Sequence, residues 1–298
     1  GGGAPPVGAL SWLGAHGEAG APAYIRADPL HLAVTPRGVF PAAAGLALTQ
    51  AEAQSLATSL QEALWGEEGM HLAVLAPHAW VLALPEAPRL RTVPPGVAAG
   101  REAGDALPTG VDAAAWHRRL NEAQMLLADH PVNRERRAAR QPEVNGLALW
   151  GAGPLPAPGG APWGAVAGSS PLLAGLAALE GLPEPGLAVD GAALLGGGPG
   201  GGPMLAVADA PLTVGGPAER AAALEALDED WLVPLAAALR ERRLRRAWVV
   251  LGPADTAEPP PTCPALDCRG GRPWPWRRGR LPDPRRLRGS LRGWADTA

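Results

Sequence analysis

Leu56, Leu60 and Leu64 recur at helical spacing behind Thr49 and Glu52, a capping-box pair, and Gly66 closes the segment. Trp116, Leu120, Ala123 and Leu127 mark the buried face of a second helix, from Ala113 to about Asp129, with Asp112 placed to cap it. Between them, HLAVL (71–75) and WVLAL (80–84) are short apolar runs joined by Ala76 to Ala79, the pattern of a hairpin. Tyr24 to Val34 alternates loosely and predicts a strand interrupted at Asp28-Pro29. Asn145 to Gly153 reads as a strand ending in glycines, and Trp163 to Gly168 as another strand. Ser170 then caps a helix over Pro171–Leu179, with proline at its permitted first position. MLAVAD (204–209) is a buried strand ending in Asp209. A long helix is expected from about Ala218 to Arg243, with Leu224, Leu227, Trp231, Leu235 and Leu239 inside, feeding the strand AWVVLG (247–252).

Strands alternating with helices of this size predict a layered α/β domain with a mostly parallel sheet. The main domain is expected to comprise residues 24–70 and 146–255, and residues 71–145 form a smaller α+β portion. The Gly/Ala/Pro-rich opening, 1–23, is expected to be flexible and to drape over the surface, and residues 85–111 read as a long loop. Beyond Pro253 the pattern dissolves, leaving 256–298 as a Pro/Arg-rich tail. The opening GGGAPPVGALSWLG suggests that further residues precede it in the native protein.

Composition changes the weight of these patterns. The 298 residues include 40 glycines and 35 prolines but one Phe and one Tyr. Arginine supplies the basic residues and lysine is absent, the mark of a codon bias that weakens β-propensity arguments. Without lysine there is neither a lysine Schiff base nor a P-loop lysine, so an anion clamp must use arginine, backbone N–H groups or helix termini.

The formal charge of -3 is unevenly distributed, because the last thirty residues are strongly basic and the rest is acidic. That tail carries Trp274, Trp276 and Trp294 but is broken by prolines, and a solvated tail is favoured over nucleic-acid binding. Cys263 and Cys268 do not form a Cys-x-x-Cys pair or a disulfide framework, and two ligands fall short of a zinc site. The absence of a membrane-length apolar run and of a basic signal segment makes a cytoplasmic protein the expectation.

The richest segment runs from Trp116 to Gly153, WHRRLNEAQMLLADHPVNRERRAARQPEVNGLALWGAG. It joins an amphipathic helix, a His-Pro stop, an arginine cluster and a strand ending in glycines. Arginine offers phosphate a planar fork, and glycine admits close backbone approach. Arg134, Arg137 and Asn145 are therefore candidate ligand-binding residues, and the resemblance given below adds Asn133, Gly151 and Gly153. Asn145 can equally fix a turn, and the arginines can form a solvated basic face. Asp28 and His31 can orient one another across a cleft, or Asp28 can form a local turn before Pro29. His130 is placed to donate to helix-terminal carbonyls. Trp150 is placed to stack on a ligand or to pack on the sheet.

The phrases RADPLHL, LNEAQMLLADHPVN and LALWGAG resemble a proteobacterial group of phosphoglycerate-mutase-like proteins of a regulatory type. More distantly, Pro131 to Gly153, Ala165 to Gly186 and Met204 to Leu235 are similar to archaeal-type cofactor-independent phosphoglycerate mutases of the alkaline-phosphatase-like superfamily. The resemblance covers about half the chain and implies an alkaline-phosphatase-like layered domain. It places Asn133, Arg137, Asn145, Gly151 and Gly153 in the region that handles phosphorylated substrate. It matches Asp209 to a metal-binding aspartate and leaves Asp255 as a further weak metal candidate.

The chain departs from the family where the chemistry is done. After Asp209 comes APLTVGG, with no imidazole, and all six histidines (His16, His31, His71, His78, His117 and His130) lie in the first half. A dinuclear centre with ions about 4 Å apart needs a dense ligand set and a metal-activated nucleophile. Ser169 and Ser170 are the central serines, and capping accounts for Ser170. The sequence thus points to a non-catalytic protein with a binding or regulatory role, without a cofactor, whose partner is a phosphorylated small molecule or a protein. The alternatives are a Mn- or Zn-dependent mutase interconverting 3- and 2-phosphoglycerate, and a protein-interaction scaffold.

Overall fold

Apolar alternation along one central strand organises a three-layer arrangement. The structure, a computed structural model, describes residues 6–41, 46–98, 101–160, 163–183, 191, 195, 203–207, 217–250 and 265–269. The chain divides into two units, Gly1–Leu187 with Pro199–Val207, and Ala188–Gly198 with Ala208–Ala298.

The first unit opens with α1 (Val7–His16), followed by β1 (Ala23–Leu30), β2 (Leu32–Thr35), β3 (Gly38–Pro41) and α2 (Gln50–Leu60). Next come β4 (His71–Ala76), β5 (Ala79–Leu84), β6 (Leu90–Arg91), α3 (Pro95–Ala98) and β7 (Thr109–Gly110). It continues with α4 (Ala113–Ala128), α5 (Pro131–Ala138), β8 (Gly146–Gly153), β9 (Ala165–Ala167), α6 (Pro171–Leu179) and β10 (Met204–Ala206).

The main sheet has the order β4-β5-β1-β8. All three pairings are antiparallel, so the mostly parallel sheet expected from alternating elements is replaced by an antiparallel one. The reason is topological: β4 and β5 close a hairpin, and β8 returns beside β1 in the opposite direction. Strands 71–76 and 79–84 therefore share one sheet with 23–30 and 146–153. Among the described residues the parallel pair is β9 with β10, with α6 between them in sequence.

Residues of β1 alternate between two layers. Ala23, Ile25 and Ala27 join Leu72, Trp80, Leu82, Leu147 and Leu149 beneath α2 and α4, which contribute Leu56, Leu60, Trp116, Leu120 and Leu127. Tyr24 faces the other way, into a smaller cluster with Ala9, Val81 and Ala83 flanked by Trp12 of α1. The strand continues through Asp28-Pro29, because pairing with β5 ends at Arg26 and Val81, before the proline.

The opening segment does not drape over the surface across its length: Val7–His16 is helical, with Val7, Ala9, Leu10, Ser11 and Leu13 buried. Small residues explain how it seats so closely. A Cβ on Gly14 would meet the Pro171 carbonyl, and one on Gly175 of α6 would meet the Leu10 carbonyl.

The Thr49–Glu52 capping box forms as the pattern predicts, and α2 ends in a π turn, Gln61–Trp65. Gln61 stitches that turn to β4, donating to the Met70 carbonyl and accepting the Leu72 N–H. Ser170 caps α6 through the Leu173 N–H. Asp112 does not cap α4, because its carboxylate accepts the Arg89 backbone and guanidinium N–H groups instead. Residues 85–111, read as a loop, contain β6 paired with β7, α3 and a single 3-10 turn.

In the second unit, α7 (Pro217–Leu227) and α8 (Val233–Arg240) are joined by a π turn, Asp228–Leu232, over much of the span expected for one helix. Leu239 is buried against Leu235, Leu244, Ala247 and Val249, whereas Leu224 is exposed despite its expected inward position. β11 (Arg246–Val250) pairs antiparallel with β12 (Ala265–Arg269), a strand in the region where the sequence pattern dissolves. Among the described residues no helix is long and apolar enough to cross a membrane.

Candidate functional site

The corner from α4 through α5 to β8 gathers four of the six candidate ligand residues. Pro131 occupies the first turn of α5 and His130 caps it. One turn later the fully buried Asn133 donates to the Leu127 and Val144 carbonyls, each at 2.7 Å, and accepts the Val144 N–H at 2.9 Å. Its amide clasps the end of α4 to the segment entering β8. Asn145 does the same beside β2, accepting the Leu32 N–H at 2.6 Å and donating to the Leu32 carbonyl at 3.0 Å. Both asparagines pair with backbone N–H and carbonyl groups and so hold neighbouring segments together.

The arginines divide by exposure. Arg136, almost wholly buried, binds Glu52 at 2.9 Å and the Pro142 carbonyl at 2.8 Å, tying α5 to the start of α2. Arg137 makes a two-pronged pair with Glu143 at 2.9 and 2.6 Å, and Arg134 donates to the Asp129 carbonyl at 2.7 Å. Bonding to Arg137 outweighs partial burial and holds the Glu143 carboxyl below its ordinary range. A guanidinium carries five N–H donors, more than the contacts of Arg134 engage.

Gly151 and Gly153 lie further along β8, against the start of α1. Gly151 has φ 60° and would place a Cβ 2.8 Å from Val7 Cβ, and Gly153 would place one 3.1 Å from Pro6 Cβ. Here glycine admits helix α1 to the strand.

A second polar centre, missed as a unit in the sequence, lies under α1. Arg26 and Asp28, two apart on β1, share one face and form an ion pair at 2.7 Å. Asp28 Oδ1 also accepts Arg26 Nε–H and the Trp80 backbone N–H, both at 3.0 Å, and Oδ2 accepts the Trp150 indole N–H at 2.7 Å. The Arg26 guanidinium lies 5.2 Å from the Trp150 ring centre and reaches Ser11 of α1 at 3.4 Å. Burial pushes the Asp28 carboxyl up, opposed by the Arg26 charge and by these hydrogen bonds. With four donors on one carboxylate, the cluster anchors the sheet rather than offering a free acid or base. The i, i+2 spacing of RAD was the available signal.

Asp28 and His31 are not brought together, because His31 Nδ1–H donates to the Glu143 carbonyl at 2.8 Å. Trp150 packs within the sheet layer on Arg26. His16 stacks on Trp12 at 4.2 Å and bonds its carbonyl, and His71 meets Trp12 edge-on at 5.8 Å. His117 donates to the Pro108 carbonyl at 2.7 Å. His130 accepts the Val132 N–H and contacts Ser59, so it caps the start of α5 instead of donating to the end of α4.

His16 and His71 share Trp12 while the others serve separate elements, and among the described residues no three His, Cys, Asp or Glu side chains gather as a metal ligand set would. The described residues therefore do not fit a dinuclear centre. Asp209, Asp255 and Cys263 lie outside the described residues, and Cys268 lies in β12.

No family model matches the chain, and no curated protein matches it. Among solved structures, a cofactor-independent phosphoglycerate mutase from Thermoplasma acidophilum DSM 1728 aligns at 19% identity with a TM-score of 0.39, covering 76% of this chain and 57% of that one. The PH0037 protein from Pyrococcus horikoshii aligns at 18% identity with a TM-score of 0.38, covering 58% of this chain and 40% of that one. The chain thus spans less than two thirds of the length of either protein to which it is distantly similar.

Proposed function

We propose that the chain is a non-catalytic, phosphoglycerate-mutase-like protein with a binding or regulatory role toward a phosphorylated small molecule or a protein partner. The observation that carries this reading is the use of the imidazoles: His16, His31, His71, His117 and His130 are engaged on separate elements with backbone groups or rings. The sequence resemblance supplies the class, and the missing histidines after Asp209 supply the loss of chemistry. Arg134 and Arg137 are exposed candidate cations, and an anion reaching Arg137 must compete with Glu143.

The test is metal analysis of the purified protein together with titration and turnover assays using 3-phosphoglycerate. The expected result is no stoichiometric manganese or zinc, no 2-phosphoglycerate formed, and metal-independent binding that weakens in Arg137→Ala. Stoichiometric metal with product formation identifies an active mutase and overturns the proposal. Metal-independent binding unchanged in Arg137→Ala removes that arginine from the ligand site.

A further inference from the structure

His130 is buried where α4 turns into α5, with the first turn of one helix depending on its ring. Nδ1 accepts the Val132 N–H at 3.2 Å, which requires an unprotonated nitrogen. The proton of the neutral ring then sits on Nε2, 3.0 Å from Ser59 Oγ on α2. Nε2 is therefore a donor to the hydroxyl, and the pair is not a serine nucleophile with its base. Pro131 has no N–H, so Val132 provides the first backbone donor of α5, and His130 is its side-chain acceptor.

A second proton can enter only at Nδ1, where it faces the Val132 N–H and ends the cap. We propose that His130 is a pH-sensitive latch on the α4–α5 corner, whose protonation at Nδ1 frees the first turn of α5 from its cap while Nε2–H stays on α2. The consequence spreads through the adjacent Asn133, which clasps α4 to the entry of β8. The latch is independent of the ligand reading above.

The surroundings favour the neutral ring. Burial, the largest effect, pushes the imidazole down; the Ser55 backbone bond pulls it up; the Arg134 charge pushes it down again, and the balance lies below the ordinary value. From α2 the groups facing it are the Ser55 carbonyl and Ser59 hydroxyl, and from α5 the charged group is Arg134. Asp129 precedes it in the chain, with its carbonyl accepting Arg134. Because the folded value is lowered, the stability given by the neutral ring is complete above about pH 6.5 and is lost as pH falls from there through the folded value.

The experiment follows imidazole nitrogen resonances and amide hydrogen exchange in the full chain, corrected for intrinsic exchange, beside His130→Asn. Asparagine keeps a capping acceptor that does not titrate. The expected result is the Nε2–H form at about pH 7.5 and, as the pH is lowered through the His130 titration, a fall of at least about fivefold in protection of the Val132 to Arg134 amides. In His130→Asn that protection is expected to stay within about twofold. An Nδ1–H ring, unchanged wild-type protection across a completed His130 titration, or an equal fall in the variant overturns the latch. If the variant does not fold, the wild-type ring form and its protection decide the matter alone.

Discussion

Asp28 accepts four hydrogen bonds while buried beneath α1, and Arg26 supplies two of them together with the opposing charge. Removing one partner strands the other in a low-dielectric layer, which costs about 3–5 kcal/mol. Urea denaturation of Arg26→Met and of Asp28→Asn should each show a loss of that order. The double variant should lose clearly less than the sum, because neither charge is then left alone. Additive losses count against the pair as a coupled unit. The same residue scale shows why the candidate ligand set was only partly legible. An asparagine in an apolar context is explained equally by a ligand or by unpaired backbone, and sequence does not distinguish them. Asn133 and Asn145 proved to serve backbone groups of α4, β2 and the entry to β8.

Elements specified by their own neighbours were readable: the capping box of α2, the buried face of α4, the β4–β5 hairpin and the Ser170 cap of α6. Sheet direction was not, because β1 and β8 are far apart in sequence and nothing local states which way the later strand returns. α1 escaped for a different reason. It packs on both the sheet and α6, so its apolar residues encircle it and leave no amphipathic contrast. That crossing yields a sharp expectation. Gly175→Ala places a methyl against the Leu10 carbonyl and must push two helices apart. A loss of about 1–3 kcal/mol follows from overpacking, read as a lowered thermal midpoint. An unchanged midpoint refutes the close crossing of α1 and α6.

For the whole molecule, acid sensitivity should have two separate sources. The His130 contribution falls first, below about pH 6.5. Carboxylates follow at lower pH. Burial pushes Glu52 up, but bonds from the Thr49 backbone and from Arg136 outweigh it and leave the group below its ordinary value. Glu143 is lowered by Arg137. A lowered carboxylate gives stability above its ordinary value, about pH 4.5, that is lost as pH falls through the folded value. Chemical denaturation between about pH 6 and pH 3 should therefore show a loss that shrinks in Glu52→Gln, and an unaltered profile in that variant rules Glu52 out as a contributor. Asp28, shifted upward, works in the opposite sense.

Ser11 presses on Arg26 from the helix that covers it, so peeling away the first helix would bring water onto a charged pair at the heart of the sheet. Helix α1 is consequently not an element that can fray by degrees. Its departure and the wetting of that pair are one event, which makes α1 a keystone of the sheet.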